Sequence, residues 1–285
     1  MSDLSSGKTA KDENFPVASR LVAARHRPVV MRFYAVARMA DDIADHAMLT
    51  PARKIELLDQ IEATLDGAGD VPEAAALREA LAARGLTDRH ARDLLVAFRR
   101  DAVQNRYADW ADLLDYCRYS AAPVGRFMLD VHGETEDTWP ASDALCAALQ
   151  VINHLQDCAK DYQELDRVYL PLDALAATGA QVEDLGENRA TAGLLKAIRG
   201  LAGQTADLLA RSRALSPAVR DTRLALEIGV IQTLAENLNR RLRRRDPLSE
   251  RVHHTRDAAL GVAAWGAIST LVWRLGSRRP RRVRA

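Results

Sequence analysis

Residues 34–45 read Tyr-Ala-Val-Ala-Arg-Met-Ala-Asp-Asp-Ile-Ala-Asp, and this stretch decides the fold. A helix is predicted here, since Pro28 is acceptable near a helix start and no breaker follows before Pro51. Carboxylates crowded within about one turn repel each other, by roughly 0.2–0.5 kcal/mol per like-charged pair on an exposed helix. The acidic face is therefore either a pocket wall that holds a hard cation such as Mg²⁺ or a solvated patch. Its polar residues lie three or four positions apart: Tyr34, Arg38, Asp41, Asp42 and Asp45.

A second oxygen-rich stripe, at residues 153–161, favours the metal site. Asn153, Asp157 and Asp161 step by four and so share one helix face. Two helices with facing stripes of this kind can hold metal ions between them, and a diphosphate would lie across those ions. The predicted magnesium ligands are Asp41, Asp45, Asn153, Asp157 and Asp161, with Asp42 in second rank because it is turned about 100° around its helix.

Taken together, the motifs resemble those of the squalene/phytoene synthase family of head-to-head prenyl synthases. Both aspartate-rich stretches match, and the resemblance covers roughly residues 13 to 275. The further matching segments are Tyr116-Cys117-Arg118-Tyr119 with Val124-Gly125, and Arg167-Val168-Tyr169-Leu170-Pro171.

This resemblance implies an all-α fold, a single-domain isoprenoid-synthase helical bundle with a central cavity. The domain would span residues 13–276, after a disordered N-terminus over 1–12 and before a basic tail over 277–285. The resemblance also implies catalytic tyrosines near the reacting carbons, although a structural hydrogen bond is an alternative for Tyr116 and surface exposure for Arg20. The implied roles are catalysis by Tyr34, Tyr116 and Tyr119, and diphosphate binding by Ser19, Arg20, Arg38, Asn153 and Arg167.

The amino-acid composition argues against several classes of protein, among them nucleic-acid-binding and disulfide-rich secreted proteins. The 285 residues are 48% hydrophobic, and 40 Lys+Arg against 39 Asp+Glu leave a net charge of +1, so no global field favours nucleic acid. Three cysteines without metal-type spacing argue against a disulfide framework and fit a reducing cytoplasm. The polar N-terminus has no apolar core of a signal peptide. We therefore expect a cytoplasmic protein.

Other helices are predicted from breakers and caps. Pro51 and Pro72 begin two helices, the second reaching Arg84, and Thr87 caps the next. Asp109 caps one helix over 110–131, which Pro123 kinks, and a single helix over 143–162 carries the second acidic stripe.

The C-terminal segment raises the question of membrane contact. Its charge-free run over 258–273 is shorter than the roughly 20 residues of a membrane span, and core packing is the better interpretation. Six arginines follow from Arg274 onward, beside Trp265 and Trp273. They form either a peripheral contact with anionic lipid on the inner face of the membrane or a solvated tail.

Three segments resemble the hydroxysqualene synthase branch of bacterial hopanoid pathways: Asn14-Phe15-Pro16, the run over 120–125, and Leu155-Gln156-Asp157. That branch ionises presqualene diphosphate, rearranges the cation and captures it with water. The resemblance implies Mg²⁺ but no NADPH, and other hopanoid-pathway enzymes as partners. Gln156 stands where many relatives carry arginine, so it is predicted to hold the capturing water, with a helix-surface residue as the alternative.

Alternative functions remain within and outside this branch. Presqualene diphosphate, squalene and phytoene synthases share the two motifs. Non-catalytic assembly factors of the same fold tend to have degraded aspartate motifs, whereas both are intact here. A lipid-binding scaffold would explain neither acidic stripe.

Overall fold

The computed structural model describes residues 22–254 and 256–277, of which the side chains of 256–260, 272, 273 and 275–277 are left out. The predictions for the disordered N-terminus and for the tail beyond residue 277 lie outside the described residues. Within them the fold is α-helical, with one isolated β-bridge between Arg106 and Val168 and no β-strand, which confirms the all-α prediction. The helices are α1 (Arg27–Asp45), α2 (Pro51–Leu65), α3 (Pro72–Ala82), α4 (Arg89–Asp101), α5 (Trp110–Ser120), α6 (Ala122–Val131), α7 (Trp139–Gln156), α8 (Cys158–Leu165), α9 (Leu172–Ala176), α10 (Ala192–Ser212), α11 (Leu215–Ala218), α12 (Thr222–Leu242) and α13 (Arg256–Ser277).

Local sequence signals set most helix starts. Proline occupies the first turn of α1, α2 and α3, where its missing N–H costs nothing. The Asp109 side chain accepts a hydrogen bond from the backbone N–H of Asp112, which confirms the predicted cap of α5. The cap predicted for α4 was one residue off, since Asp88 precedes that helix instead of Thr87. Helix α3 ends at Ala82, two residues before the predicted end.

Two predicted long helices are each divided in two. The predicted 110–131 helix breaks at Ala121, whose φ and ψ are −126° and −47°, because Pro123 lacks an N–H and its ring crowds the preceding turn. The helix of the second acidic stripe breaks at Asp157, with φ −104° and ψ 9°, and starts at Trp139. Both breaks fall beside cavity-lining residues.

The core has two parts. One cluster is built mainly by α1–α4, and the other mainly by α5, α7, α10 and α12. Phe127 of α6 stacks on Phe33 of α1, with ring centroids 3.9 Å apart, and so ties α6 to the first cluster. A cavity remains between α1, α6, α7 and α12.

Among the residues that the structure describes, helix α13 packs along α12 with one of its faces. A Cβ added at Gly229 of α12 would lie 1.9 Å from Thr270 Oγ1, so the two helices approach closely at this glycine. Trp265, Ile268 and Leu271 lie on the outer side and are 67%, 55% and 43% exposed. The prediction of core packing therefore holds for the inner face alone. In the part of the chain that the structure describes, no helix has the length and apolar content to cross a membrane.

Close packing of α6 on α7 predicts the effect of one substitution. A Cβ at Gly125 would lie 2.4 Å from Ser142 Oγ and 2.5 Å from Cys146 Sγ. We expect Gly125→Ala to lower the free energy of unfolding by about 1–3 kcal/mol, measured by urea denaturation, because the facing helix must shift. The control is Gly200→Ala in α10, which meets nothing within 4 Å and should raise stability by about 0.5–1 kcal/mol. Unchanged stability of the Gly125 variant would contradict this packing argument.

Candidate active site

Two adjoining cavities share one wall. We call the first the apolar chamber, a cavity of about 350 Å³ among α1, α6, α7 and α12 whose hydrophobic lining includes Phe33, Phe127, Leu145 and Ile228. The second is the acidic mouth, of about 380 Å³, which contains the predicted metal ligands. Both volumes lie within the range that is typical of small-molecule sites, about 300–1,000 Å³. Residues that line both cavities are Tyr34, Ala37, Ser120, Val124, Gln150 and Asn153.

The acidic mouth brings both sequence stripes together. Asp41 and Asp45 come from α1, while Asn153, Asp157 and Asp161 come from α7, the helix break and α8. The break keeps the four-residue spacing, since the N–H of Asp157 donates to the Asn153 carbonyl (2.9 Å) and the N–H of Asp161 to the Asp157 carbonyl (2.8 Å). The structure therefore places the five predicted ligands of first rank in one cavity.

Electrostatics in the mouth favour binding of a cation. Burial, and next the nearby Asp45 carboxylate, raise the pKa of Asp41 to about 7. Burial raises the pKa of Asp157, and the Asp161 carboxylate adds to the rise. A carboxylate with a raised pKa is short of compensating positive charge, so a divalent cation at either pair would relieve the repulsion.

The donor set fits magnesium bound together with a phosphate ligand. Among the described residues, no group of three or more His, Cys, Asp or Glu side chains is close enough to hold a metal alone. Mg²⁺ is usually held by one or two carboxylates plus substrate phosphates and waters, and not by a cage of protein ligands. Two carboxylate pairs, Asp41 with Asp45 and Asp157 with Asp161, match that mode of binding.

Arginines balance part of the negative charge. Arg38 pairs with Asp41 at 2.8 Å and with Asp42 at 2.6 Å. The buried Arg167 donates to Asp45 Oδ1 at 2.5 Å and to the backbone carbonyls of Ala44 and Asp101 at 2.9 and 3.2 Å. Arg167 therefore lies in the mouth, as predicted, but its described contacts hold helix ends together.

Three described residues of the predicted site lie outside both cavities: Tyr119, Asp42 and Gln156. Tyr119 is partly buried against the core, and Asp42 bonds Arg38 without lining the mouth. Neighbouring helix positions are turned by about 100°, so the mouth receives residues four apart and not those adjacent to them. Ser19 and Arg20 lie outside the described residues.

Gln156 requires the largest correction. The structure places it at a separate loop, residues 247–253, where its Nε2 donates to the Val252 carbonyl at 2.6 Å. It is buried, so the surface interpretation is also wrong. A side chain tied to that loop is away from the apolar chamber, and the predicted water-holding role does not fit its position.

Sequence reasoning missed a buried carboxylate that lines the mouth. Asp101, at the end of α4, accepts hydrogen bonds from the hydroxyls of Tyr116 (2.8 Å) and Tyr169 (3.2 Å). Burial raises the pKa of Asp101, while Arg167 and the two hydroxyls oppose that rise. A signal was present, because Asp101 follows Leu94 by seven residues and so shares its apolar helix face.

Tyr116 lines the mouth, yet its hydroxyl is already engaged with Asp101. The structural hydrogen bond considered for this residue is therefore present. Tyr34 is placed differently, at the junction of the two cavities. His154, which the sequence did not single out, stacks on Tyr169 with ring centroids 3.6 Å apart and also lines the mouth.

Comparisons with known proteins show similarity to one family over most of the chain. The family model described as squalene/phytoene synthase matches residues 8–257. Hydroxysqualene synthase of Rhodopseudomonas palustris is 56% identical over 274 residues, covering 96% of this chain and 94% of the relative. Hydroxysqualene synthase of Zymomonas mobilis is 50% identical over 271 residues, covering 94% and 91%.

Solved structures are similar over most of their length. The squalene synthase HpnC of Alicyclobacillus acidocaldarius has a TM-score of 0.71 and 33% identity, covering 80% of this chain and 87% of its own. A dehydrosqualene synthase in complex with a ligand has a TM-score of 0.73 at 21% identity, covering 88% and 89%, and supports the fold alone.

The bond from Tyr116 to Asp101 predicts a stability effect. Tyr116→Phe should lower the free energy of unfolding by about 1–3 kcal/mol, because a buried carboxylate loses a donor. The control Tyr119→Phe, which lies three residues away, should stay within about 0.5 kcal/mol of wild type. Urea denaturation measures both. Equal stability of the two variants would contradict a structural role for the Tyr116 hydroxyl.

Proposed function

Because the chain belongs to the squalene/phytoene synthase family, we propose that it is a hydroxysqualene synthase, which converts presqualene diphosphate and water into hydroxysqualene and diphosphate. The observation that carries this proposal is the joining of an apolar chamber to an acidic mouth through a common wall. A prenyl diphosphate has the same two parts. The choice of branch within the family is supported by three relatives, 50–56% identical to this chain, that are named hydroxysqualene synthase.

The mouth would bind the diphosphate end. Asp41, Asp45, Asp157 and Asp161 would hold Mg²⁺, and Asn153 would add a neutral oxygen. When bound, Mg²⁺ supplies positive charge that neutralises the departing diphosphate. Arg38, which now pairs with two carboxylates, is close enough to the mouth to meet phosphate oxygens.

The chamber would hold the hydrocarbon and the cation. When the carbon–oxygen bond breaks, its electron pair leaves with the diphosphate and a carbocation remains. Hydrophobic walls keep bulk water out, and the rings of Tyr34, Phe33 and Phe127 offer π-faces to positive charge. Tyr34 is best placed for this role because it borders both cavities.

Capture by water completes the reaction without a redox partner. One water forms the new carbon–oxygen bond and releases one proton, so the product is an alcohol. No electrons are gained or lost, and NADPH has no part in the balance. Reductive formation of squalene, by contrast, requires a hydride donor.

Product analysis tests the proposed function. Purified protein with Mg²⁺ and presqualene diphosphate in ¹⁸O-labelled water should give hydroxysqualene that carries the label, with unchanged rate and product when NADPH is added. Squalene formed only with NADPH would move the protein to the reductive branch. Phytoene formed from geranylgeranyl diphosphate would move it to the carotenoid branch, and no turnover of any diphosphate would favour a non-catalytic assembly factor.

Substitution of the four carboxylates tests whether the two pairs bind the metal. Asp41→Asn, Asp45→Asn, Asp157→Asn and Asp161→Asn should each lower kcat at least about 100-fold, as expected for lost electrostatic stabilisation. They should also weaken binding of Mg²⁺ with inorganic pyrophosphate, measured by calorimetry. Helical content by circular dichroism should not change.

Matched controls separate the site from general charge. Asp207→Asn removes an exposed carboxylate of α10 and should leave kcat within about twofold, since exposed surface changes are usually small. Asp42→Asn should cost less than any of the four site variants, because Asp42 does not line the mouth. Wild-type rates for the Asp45 and Asp157 variants at saturating Mg²⁺ would rule out the two-pair site.

A membrane is proposed as the partner of the outer face of α13. Trp265, Ile268 and Leu271 recur at helical spacing and are exposed, and an arginine-rich sequence follows them. Apolar rings next to positive charge suit the interface of an anionic bilayer. Substrate and product with long hydrocarbon tails would reach the enzyme from such a surface.

Vesicle binding tests the membrane proposal. Replacing Trp265 and Ile268 together by Ser, or deleting residues 278–285, should reduce sedimentation with phosphatidylserine vesicles several-fold and spare activity on detergent-solubilised substrate. Higher salt should weaken binding, since exposed charges are screened over about 8 Å at physiological ionic strength. Val96→Ser, an exposed apolar position on α4, is the control. Vesicle binding equal to wild type in both variants would contradict the proposal.

A further inference from the structure

One carboxylate lines the apolar chamber without reaching the acidic mouth. Glu227 of α12 is only 4% exposed, and it belongs to the chamber wall together with Leu224, Ile228 and Ile231 of the same helix. Among the described residues that line the chamber, it is the only acidic side chain. The carboxylates predicted from the sequence all lie elsewhere, on α1, α8 or the break before α8.

The carboxyl group of Glu227 differs in chemistry from the side chains next to it on α12. Its carboxyl oxygens can accept a proton or a hydrogen bond, which the side chains of leucine and isoleucine cannot do. The neighbouring positions of α12 that line the chamber are leucine and isoleucine. Glu227 therefore brings a proton acceptor to an otherwise apolar stretch of the chamber wall.

The proposed reaction supplies such a role. Water capture of the cation needs a water held inside an otherwise apolar cavity, and a group that takes the proton released when the new bond forms. A carboxylate oxygen accepts hydrogen bonds from water, and its negative charge attracts a carbocation. Glu227 lies in the cavity where the cation would form.

Four other polar side chains of the chamber, those of Gln150, Asn153, Cys146 and Ser142, do not meet both needs. The amides of Gln150 and Asn153 do not accept a proton near neutral pH. Burial raises the pKa of the Cys146 thiol to about 12, so this thiol stays protonated and is a poor proton acceptor. The hydroxyl of Ser142 is too weak a base to take up a proton near neutral pH.

From this comparison we infer that Glu227 holds the capturing water and accepts its proton, an inference that rests on the proposed function. The water oxygen donates an electron pair to the cationic carbon. One O–H bond of that water then breaks, its electron pair stays on oxygen, and the proton moves to a carboxylate oxygen of Glu227. Without that acceptor, a carbon next to the cationic carbon loses a proton to the released diphosphate. The electron pair of the broken C–H bond then forms a carbon–carbon double bond. The expected product is then a hydrocarbon in place of the alcohol.

The test uses the full-length protein with Mg²⁺ and presqualene diphosphate, and measures both diphosphate release and products by gas chromatography with mass spectrometry. Glu227→Gln keeps the shape of the side chain but removes the proton acceptor. The ratio of alcohol to hydrocarbon should fall at least about 100-fold, the lower end for general base catalysis. Diphosphate release should stay within about threefold of wild type, because ionisation takes place at the mouth.

Glu236→Gln is the matched control, since Glu236 lies on the same helix but pairs with Arg213 and Gln232 outside the chamber. It should leave the product ratio unchanged. If Glu227→Gln does not fold, Glu227→Asp carries the test, because it withdraws the carboxylate by one methylene and should still raise the hydrocarbon fraction.

Each result has one meaning. A wild-type product ratio in the Glu227 variant that folds overturns the inference, and so does loss of diphosphate release together with the alcohol, because Glu227 would then act before capture. If the wild-type protein itself makes no labelled alcohol, the proposed function fails, and this failure is visible before any variant is compared.

Discussion

The hydrogen bonds of Arg167 determine whether the acidic mouth exists. This buried guanidinium joins the carboxylate of Asp45 and the carbonyl of Ala44 at the end of α1 to the carbonyl of Asp101 at the end of α4. Arg167 itself follows α8, which carries Asp161 of the second acidic stripe. The Asp45 side chain is 34% exposed, so water screens part of this ion pair, whereas the two hydrogen bonds to carbonyls are buried. One side chain thus fixes the two stripes across the same cavity.

The opposite requirements of the two cavities explain how the bundle is arranged. The mouth gathers carboxylates whose mutual repulsion cations would relieve, whereas the described lining of the chamber is mostly apolar and has Glu227 as its one carboxyl group. Residues such as Tyr34 and Asn153 border both spaces, so a diphosphate and its hydrocarbon can be held at once. The carboxylates that would bind the leaving diphosphate and the carboxyl group of Glu227, which would face the cation, lie in different cavities. One fold could therefore assist both ionisation and capture.

Local features of the sequence were sufficient for the helices and the two stripes, because helix starts and four-residue spacing depend on near neighbours. The breaks at Ala121 and Asp157 were not predicted, since a single proline suggested only a kink and no breaker marks the second position. Gln156 was misplaced because its partner, the 247–253 loop, is distant in sequence. Glu227 was missed for the same reason, since its burial depends on which helices pack against it, whereas Asp101 could have been found from the apolar helix face that it shares with Leu94.

The most direct measurement is a crystal structure with Mn²⁺ and a presqualene thiodiphosphate that cannot ionise. We expect anomalous Mn²⁺ peaks in contact with the carboxylates of Asp41 or Asp45 and of Asp157 or Asp161, bridged by the diphosphate. The hydrocarbon should extend past Tyr34 into the apolar chamber, beside Glu227. Metal ions bound elsewhere, or a hydrocarbon that lies outside the chamber, would contradict the claim that the mouth and the chamber form one active site.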